Sequence, residues 1–318
     1  MTQLPLGRLG YGAAALGNLY SSMDDDDARR TLEAAWLGGI RYFDTAPHYG
    51  LGLSERRLGD FLRTCPREDY VISTKAGRLL EPNPAFRPGE PDTEGFAVPA
   101  RSTRRWDFTE RGIRQSLEDS LDRMGISRVD ILYLHDPDAY DMDAALSEAL
   151  PALQRLKAEG LVRAIGVGSN SAEALHTLVD RAELDLVMLA GRFTLLEQPA
   201  LTGLLPRCVE RGVGVVAAGV FNSGILATAE VPADAHYNYG PAPQELLARA
   251  RRLAAVCASF GVDLPDAAIQ YPLRHPAVCN VVIGARGAEQ ISANIAGMDR
   301  ALPRDLWDAL EAEGLIPR

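Results

Sequence analysis

The sequence predicts an α/β fold of the (β/α)8 TIM-barrel type, as one domain over residues 1–318. About eight apolar strands alternate with helical patterns along the chain, and the strands are apolar on both faces. Strands of this kind form a parallel sheet that helices cover, and eight such units close as a barrel. The competing interpretation is a doubly wound sheet with a Gly-x-Gly-x-x-Gly motif after its first strand, a spacing that Gly10, Gly12 and Gly17 do not have.

The elements follow one another in a regular order. The predicted strands are residues 9–16, 42–44, 70–75, 129–135, 162–167, 184–189, 213–217 and 278–283. The predicted helices are residues 24–37, 55–63, 107–124, 142–158, 172–181, 199–211, 244–260, 266–274 and 289–296. The acidic run at residues 24–27 indicates a helix start rather than a metal site, because carboxylates suit the positive end of a helix dipole.

Two long segments interrupt this rhythm, at residues 77–106 and 229–243. Each follows a predicted strand at its C-terminal end, so both are predicted to lie over the C-terminal face of the barrel. Loops of this length in a compact domain are usually lids or binding loops. We therefore expect them to cover the mouth of the barrel.

The composition is that of a soluble globular protein, with 47% hydrophobic and 24% charged residues. A net charge of −10 argues against a nucleic-acid partner. Four scattered cysteines, without metal-ligand spacing, predict a reducing compartment and no metal site. The sequence shows no signal peptide and no apolar run that spans a bilayer. We expect a cytoplasmic protein without a membrane partner, as a monomer or a small homo-oligomer.

Ionisable residues stand at the ends of three predicted strands: Asp44, Lys75 and His135, with Tyr49 just after the first of them. In such barrels the active site lies where the strands end. Of the 33 Lys and Arg residues only Lys75 and Lys157 are lysine, and a lysine differs from an arginine in having a pKa that moves on burial. The alternative is that Asp44 caps a helix and Tyr49 is an ordinary loop aromatic.

These four side chains predict proton transfer coupled to another reaction. A phenol titrates near pH 10, and a neighbouring ammonium would lower the pKa of Tyr49. Asp44 would hold the ammonium of Lys75, and His135 would orient a carbonyl or hydroxyl oxygen. No Ser-His-Asp or Cys-His order suggests nucleophilic catalysis instead.

In this order the four residues closely resemble those of the aldo-keto reductases, and the resemblance covers nearly the whole chain. The matching motifs are Phe43-Asp44-Thr45-Ala46-x-x-Tyr49-Gly50, Ser73-Thr74-Lys75, Ser116-Leu117-x-x-Ser120-Leu121 and Asp130-x-x-Tyr133-x-His135. The resemblance implies a barrel that passes a hydride between a nicotinamide cofactor and a carbonyl or alcohol. It implies that Tyr49 is the acid/base, that Lys75 and Asp44 tune it, and that His135 orients the substrate oxygen.

The resemblance also implies a cofactor site for NAD or NADP. The nicotinamide end would involve Ser169 and Asn170, the pyrophosphate Gly219, Val220, Phe221, Asn222, Ser223 and Gly224, and the adenosine end Ile283, Gly284, Ala285, Arg286, Gln290 and Asn294, with further contacts from Gly17, Asn18 and Asp44. This chain departs from the family at Ala190, where Gln is common, and at Ala218, where an aromatic ring is usual. Gln290 replaces a frequent phosphate-binding Arg, which favours NAD over NADP unless Arg286 compensates.

Residues 134–138 and 218–226 are most similar to one branch of the family, the L-fucose or D-threo-aldose 1-dehydrogenases, with pyridoxal 4-dehydrogenase close by. The branch implies oxidation of the C1 hydroxyl of a cyclic aldose, such as L-fucose, to a lactone. Candidate substrate contacts are Tyr20, His48 and Trp106, with Asp136 and Arg78 as further partners for hydroxyl groups. The alternatives are a pyridoxal 4-dehydrogenase, a general aldehyde or ketone reductase, and a nucleotide-binding regulatory subunit.

Overall fold

A computed structural model describes residues 4–237 and 240–317 of the chain. Within these ranges eight parallel strands close into a barrel in which each strand pairs with its neighbours in the chain order and the last pairs with the first. The barrel strands are β1 Leu9–Gly12, β2 Tyr42–Asp44, β3 Val71–Ala76, β4 Ile131–His135, β5 Ala164–Ser169, β6 Leu186–Ala190, β7 Gly214–Ala218 and β8 Val278–Ile283. The predicted (β/α)8 barrel is confirmed.

Helices surround the barrel and bury the outer faces of the strands. They are α1 Asp25–Leu37, α2 Leu53–Leu62, α3 Glu110–Met124, α4 Met142–Ala144, α5 Leu150–Ala158, α6 Ala172–Arg181, α7 Leu204–Arg211, α8 Gln244–Ser259, α9 Leu264–Gln270, α10 Ala288–Asp299 and α11 Arg304–Ala312. The acidic run does begin α1, since the Asp24 carboxylate accepts a hydrogen bond from the backbone N–H of Asp27 at 2.6 Å. Helix α11, whose Leu306 and Leu310 are buried, was not among the predicted elements.

Several predicted boundaries were wrong, and the local sequence gives the reason. The first strand ends at Gly12, and Ala13–Gly17 forms a 3₁₀ helix because an alanine-rich stretch favours helical turns. Helix 142–158 is interrupted by a π-turn at Ala145–Ala149, just before Pro151, which has no N–H for the regular ladder. Pro272 likewise follows the end of α9, where Tyr271–Arg274 is a 3₁₀ helix.

The segment 77–106 is not the irregular loop that was predicted. Arg78–Pro82 pairs antiparallel with Ser102–Trp106, and we call these two strands with the residues between them the lid ribbon. Phe96 and Val98 from its connecting segment are buried in a small cluster with Leu51, at the loop that follows β2. The lid ribbon is therefore attached to the C-terminal side of the barrel.

The second long loop, 229–243, contains a short bridge between His236–Tyr237 and Gly240–Pro241. Residues 238 and 239 lie outside the described part of the chain. Within the described ranges no helix combines the length and apolar character needed to cross a lipid bilayer. In the same ranges no three His, Cys, Asp or Glu side chains are grouped as metal ligands would be.

Candidate active site

Three adjacent strands and one loop bring the four predicted catalytic residues together. Asp44 is the last residue of β2, Lys75 lies one residue before the end of β3, and His135 ends β4. The Lys75 Nζ donates to Asp44 Oδ2 at 2.6 Å and to the carbonyl of Thr45 at 2.9 Å. The same Nζ lies 4.6 Å from the centroid of the Tyr49 ring, and the His135 ring centroid is 5.9 Å from that of Tyr49.

The loop that carries Tyr49 is fixed by contact between two glycines. Gly50 has φ +63° and packs on Gly17, where an added Cβ would lie 2.6 Å from the carbonyl carbon of Tyr49. No L side chain fits this approach without displacing the loop. The structure therefore places Gly17 behind Tyr49 and outside the groove predicted for the cofactor. Close packing against the Tyr49 loop explains why this position holds a glycine.

A buried chain of hydroxyl groups lies beneath Asp44. Ser73 Oγ donates to Asp44 Oδ1 at 2.6 Å, and because it has one proton it accepts from the Tyr42 hydroxyl at 3.0 Å. The Tyr133 hydroxyl is 3.3 Å from that of Tyr42. Burial raises the pKa of both tyrosines well above 10, so both remain protonated donors.

Sequence reasoning missed this hydroxyl chain, although a signal existed. Side chains two positions apart in a strand point to the same face. Each member of the chain stands two residues before a predicted catalytic residue in β2, β3 or β4. The hydroxyls therefore form the layer of the barrel interior directly below the site.

Opposing effects set the pKa values of Lys75 and Tyr49. Burial alone would lower the pKa of the Lys75 ammonium, but the Asp44 carboxylate and the Tyr49 phenol together raise it above its usual value. Burial raises the pKa of the Tyr49 phenol above 10, and the charge and hydrogen bond of Lys75 only partly oppose this. The predicted direction of the effect of Lys75 is correct, but the predicted net lowering of the phenol pKa is wrong because burial outweighs it.

Two histidines beside Tyr49 are neutral. Burial, then the positive charges of Arg78 and Lys75, lowers the pKa of His135 well below 6.5. Burial, then the charges of Arg78 and Arg104, lowers the pKa of His48 to about 2. His135 Nε2 is 3.5 Å from Asp136 Oδ2, which favours the tautomer that carries a proton on Nε2.

The lid ribbon is fastened to the site by a buried ion pair. Arg104 donates to both carboxylate oxygens of Asp92, at 2.6 and 3.0 Å, and its Nη2 also donates to the carbonyl of His48 at 3.0 Å. Phe96 packs edge-on against the His48 ring at 5.2 Å and lies 6.1 Å from the Tyr49 ring. Because these contacts join distant segments, no local pattern in the sequence indicated them.

The first residue of the lid ribbon, Arg78, reaches the strand that ends at His135. Its Nη2 donates to Asp136 Oδ2 at 2.5 Å, and its Nη1 is 3.3 Å from His48 Nδ1. Its guanidinium carbon lies 4.3 Å from the ring centroid of Trp106, and that ring also stacks on Tyr140 at 5.1 Å. Trp106 therefore supports Arg78, and its stacking on a sugar remains a prediction.

A groove of about 410 Å³ runs along the ends of the strands from β5 to β8. The predicted cofactor residues that line it are Asn170, Gly219, Val220, Phe221, Asn222, Ser223, Gly224, Ile283, Gly284, Ala285, Arg286 and Gln290. Tyr20, predicted to contact the substrate, lines this groove too and is two-thirds exposed. Asn18 does not line it, because its side chain binds the N–H of Met23 and the guanidinium of Arg57.

The residues of this groove fit a nicotinamide dinucleotide. Asn222 and Ser223 have φ of +47° and +59°, in a turn that ends at Gly224 with φ +99°. Within this turn the N–H groups of Asn222 and Gly224 donate to the carbonyls of Gly219 and Phe221, both at 3.0 Å, so these two groups are engaged inside the protein. Asn294, predicted for the adenosine end, does not line this groove, and its Nδ2 is buried without a hydrogen-bond partner within the described residues.

Other predicted cofactor residues have partners within the protein. The Ser169 hydroxyl donates to Asp138 Oδ1 at 2.6 Å. Ala190 and Ala218, the two departures from the family, are register partners on β6 and β7, so the two small side chains lie side by side. Sequence reasoning also missed Glu197, whose carboxylate accepts from Asn222 Nδ2 at 3.1 Å behind the predicted pyrophosphate loop.

Comparison with known proteins gives consistent matches. The sequence model described as "Aldo/keto reductase family" matches residues 8–313. The chain is 53% identical to D-threo-aldose 1-dehydrogenase of Pseudomonas sp. over 99% of this chain and 96% of that protein. It is 40% identical to pyridoxal 4-dehydrogenase of Microbacterium luteolum, with the same coverage. Among solved structures, the holo form of aldo-keto reductase AKR11C1 from Bacillus halodurans has a TM-score of 0.78 and 25% identity, over 99% of this chain and 94% of that one.

Proposed function

We propose that this chain, which belongs to the aldo/keto reductase family and is an oxidoreductase, oxidises the C1 hydroxyl of a cyclic aldose such as L-fucose to a lactone. The observation that carries the proposal is the buried ion pair of Asp44 and Lys75 against the ring of Tyr49. The 53% identity to a D-threo-aldose 1-dehydrogenase supports an aldose as the substrate.

The proposed reaction converts an aldose and NAD(P)⁺ into a lactone, NAD(P)H and a proton. The bound nicotinamide supplies the hydride acceptor. Tyr49 takes the proton of the C1 hydroxyl on its phenolate oxygen, and the Lys75 ammonium stabilises that phenolate. Asp44 keeps the ammonium charged and in place, and neutral His135 donates a hydrogen bond to the reacting oxygen.

The raised pKa of Tyr49 determines how each direction depends on pH. At neutral pH the phenol is protonated, which suits it to give a proton to a carbonyl during reduction. Oxidation needs the phenolate, so its kcat is expected to rise with pH while kcat for reduction falls. Profiles of both directions between pH 6 and 10 measure this, and parallel profiles would contradict the role of Tyr49.

The experiment that tests the proposal follows NADH or NADPH formation at 340 nm with L-fucose and a panel of aldoses of differing stereochemistry. Tyr49→Phe should lose most of kcat while its cofactor affinity is unchanged. Tyr70→Phe is the matched control, because Tyr70 is buried just before β3 at the opposite end of the barrel. Failure of the unmodified protein to oxidise any aldose with either cofactor would refute the proposal.

We propose NAD as the preferred cofactor. Aldo/keto reductases use NAD(P)H, so the choice depends on groups for the 2′-phosphate. Arg286 donates to the carbonyls of Leu19, Ser21 and Ser22, and these bonds engage three of its five N–H groups. Gln290 accepts from the backbone N–H of Arg286 at 2.7 Å and brings no charge. Dissociation constants for both cofactors decide this, and Gln290→Arg should shift affinity towards NADP.

Pyridoxal oxidation is the second candidate, favoured by the 40% identity to a pyridoxal 4-dehydrogenase. Comparing kcat/KM for pyridoxal and for the best aldose separates the two. A general aldehyde or ketone reductase would show a higher kcat/KM in the reducing direction. A nucleotide-binding regulatory subunit would bind the cofactor without turnover, and Tyr49→Phe would change nothing that it does. The cytoplasmic location and the oligomeric state remain predictions.

A further inference from the structure

The ion pair of Arg78 and Asp136 stands beside the reacting groups. Asp136 directly follows His135, and its Oδ2 is 2.5 Å from Arg78 Nη2 and 3.5 Å from His135 Nε2. The Asp136 side chain is 28% exposed, so its carboxylate is accessible to a small molecule. Arg78 also lies within 3.3 Å of His48, whose ring is 6.0 Å from that of Tyr49. A substrate bound at Tyr49 therefore lies within reach of this pair.

The backbone holds Asp136 in an unusual conformation. Its φ of +42° and ψ of +56° lie in the left-handed region, which residues other than glycine seldom adopt. Aspartate and asparagine tolerate this region better than other residues do. The backbone N–H of Asp136 donates to the carbonyl of Gly168 at 2.8 Å, which fixes the turn. Conformations of this kind persist where the surroundings enforce them, and they are concentrated at functional sites.

Arg78 is held on several sides but keeps one buried donor without a partner. Its side chain is only 10% exposed, and the Trp106 ring packs against its guanidinium. Its Nε is buried and has no hydrogen-bond partner within the described residues. A second carboxylate, Glu94 Oε2, lies 4.0 Å from its Nη1. Glu94 Oε1 also lies 3.6 Å from Arg104, which pairs with Asp92, so two guanidinium groups face three carboxylates here and the local charge is negative.

Such a pair recognises hydroxyl groups better than anions. A hydroxyl donates one hydrogen bond and accepts others, so it pairs with a carboxylate and a guanidinium at once. A phosphate or a carboxylate only accepts, so it would use Arg78 alone and be repelled by Asp136 and Glu94. Hydrogen bonds to charged groups are also the stronger ones.

From this geometry we infer that Arg78 and Asp136 form a subsite that binds a hydroxyl group of a neutral polyhydroxylated substrate and rejects phosphorylated or carboxylated sugars. The inference rests on the proposed function and narrows its substrate class. In this subsite the Asp136 carboxylate repels anionic sugars. Arg78, which packs against the Trp106 ring, donates the hydrogen bond to the substrate hydroxyl.

The test is the variant Asp136→Asn, which keeps a side chain that tolerates the left-handed backbone. Its kcat/KM is measured in the reducing direction with glyceraldehyde, glyceraldehyde 3-phosphate and propanal, and in the oxidising direction with L-fucose. We expect glyceraldehyde and L-fucose to lose about tenfold to a hundredfold, the size of one charged hydrogen bond. Glyceraldehyde 3-phosphate should gain by at least tenfold, because the freed guanidinium then attracts the phosphate, and propanal should change less than threefold.

Glu81→Gln is the matched control, because it removes one negative charge from the lid ribbon that carries Arg78, at a half-exposed pair with Arg105. This control should leave kcat/KM unchanged for all four substrates. An equal loss on all substrates, or no change on the phosphate ester, overturns the inference.

If Asp136→Asn unfolds at a lower temperature than the parent, a second variant tests the inference. Arg78→Gln leaves Asp136 without its cation and removes the donor for an anion, while Glu94 keeps Arg104 at 3.6 Å, so the phosphate ester should lose more than glyceraldehyde does. A gain on the phosphate ester with Arg78→Gln contradicts the inference. L-fucose turnover by the unmodified protein tests the proposed function separately, because the three aldehydes report on the subsite whether or not aldoses are oxidised.

Discussion

Two neutral histidines at the site predict that the fold loses stability in mild acid. His48 and His135 are buried beside Arg78, and this environment lowers the pKa of His48 to about 2 and that of His135 well below 6.5. In the unfolded chain both rings take up a proton near pH 6.5. The unfolded state therefore binds more protons below pH 6.5, and the stability present above that pH is lost as the pH falls.

The size of the effect follows from the same values. Between pH 7 and pH 5 an unfolded histidine with a pKa of about 6.5 gains about 0.7 of a proton, while folded His48 stays neutral. Proton linkage converts this difference into a loss of about 2 kcal/mol for His48. His135 acts in the same direction, so the total loss should exceed this amount, against a total stability of about 5–15 kcal/mol for typical proteins.

The assay is urea unfolding at pH 7 and pH 5, for the parent and for His48→Gln. Glutamine does not titrate, and its amide oxygen keeps an acceptor for the guanidinium of Arg78. The loss of stability on acidification should be about 2 kcal/mol smaller in the variant than in the parent. His176→Gln, at a half-exposed position on α6, is the control and should follow the parent. Equal losses in parent and His48→Gln would show that burial does not keep His48 neutral.

Three further substitutions test the supports of the site. Ser73→Ala removes the donor to one Asp44 oxygen and should lower kcat about tenfold with cofactor affinity unchanged, so an unaltered kcat counts against the hydroxyl chain. Asp92→Asn removes the buried carboxylate that binds Arg104 through both oxygens and leaves only Glu94 at 3.6 Å, so it should cost about 3 kcal/mol in urea unfolding while raising the KM for substrate. Gly17→Ala brings a Cβ to 2.6 Å from the backbone of Tyr49 and should cost about 2 kcal/mol, so full stability would contradict the packing described.

The barrel and the four catalytic candidates were predictable because their signals are local. A buried parallel strand is a short apolar run, and a polar residue such as Asp44 or His135 at its end stands out. The register in which the strands pair was not needed to predict the position of the site, because parallel strands that close in chain order already bring their C-terminal ends together. Fold and site position therefore follow from patterns a few residues long.

The lid ribbon was not predictable in the same way. Arg78–Pro82 and Ser102–Trp106 pair across about twenty residues, and no two-residue turn motif links them. The buried pair of Arg104 and Asp92 and the contacts of Phe96 hold it, and these are visible only once the chain is folded. The net pKa of Tyr49 escaped prediction because it depends on the degree of burial, which its distant neighbours decide.

The groups proposed to transfer the proton and the groups proposed to face the substrate have different supports. Asp44, Lys75 and His135 stand on barrel strands above a layer of hydroxyls two residues earlier in each strand, and Ser73 of this layer donates to Asp44. Arg78 and Phe96 come from the lid ribbon, which pairs with itself and is fastened to the barrel by side chains. We therefore expect a substitution in the lid ribbon to alter which substrate is bound without displacing the groups proposed to transfer the proton, and a substitution in the hydroxyl layer to alter the rate for every substrate alike.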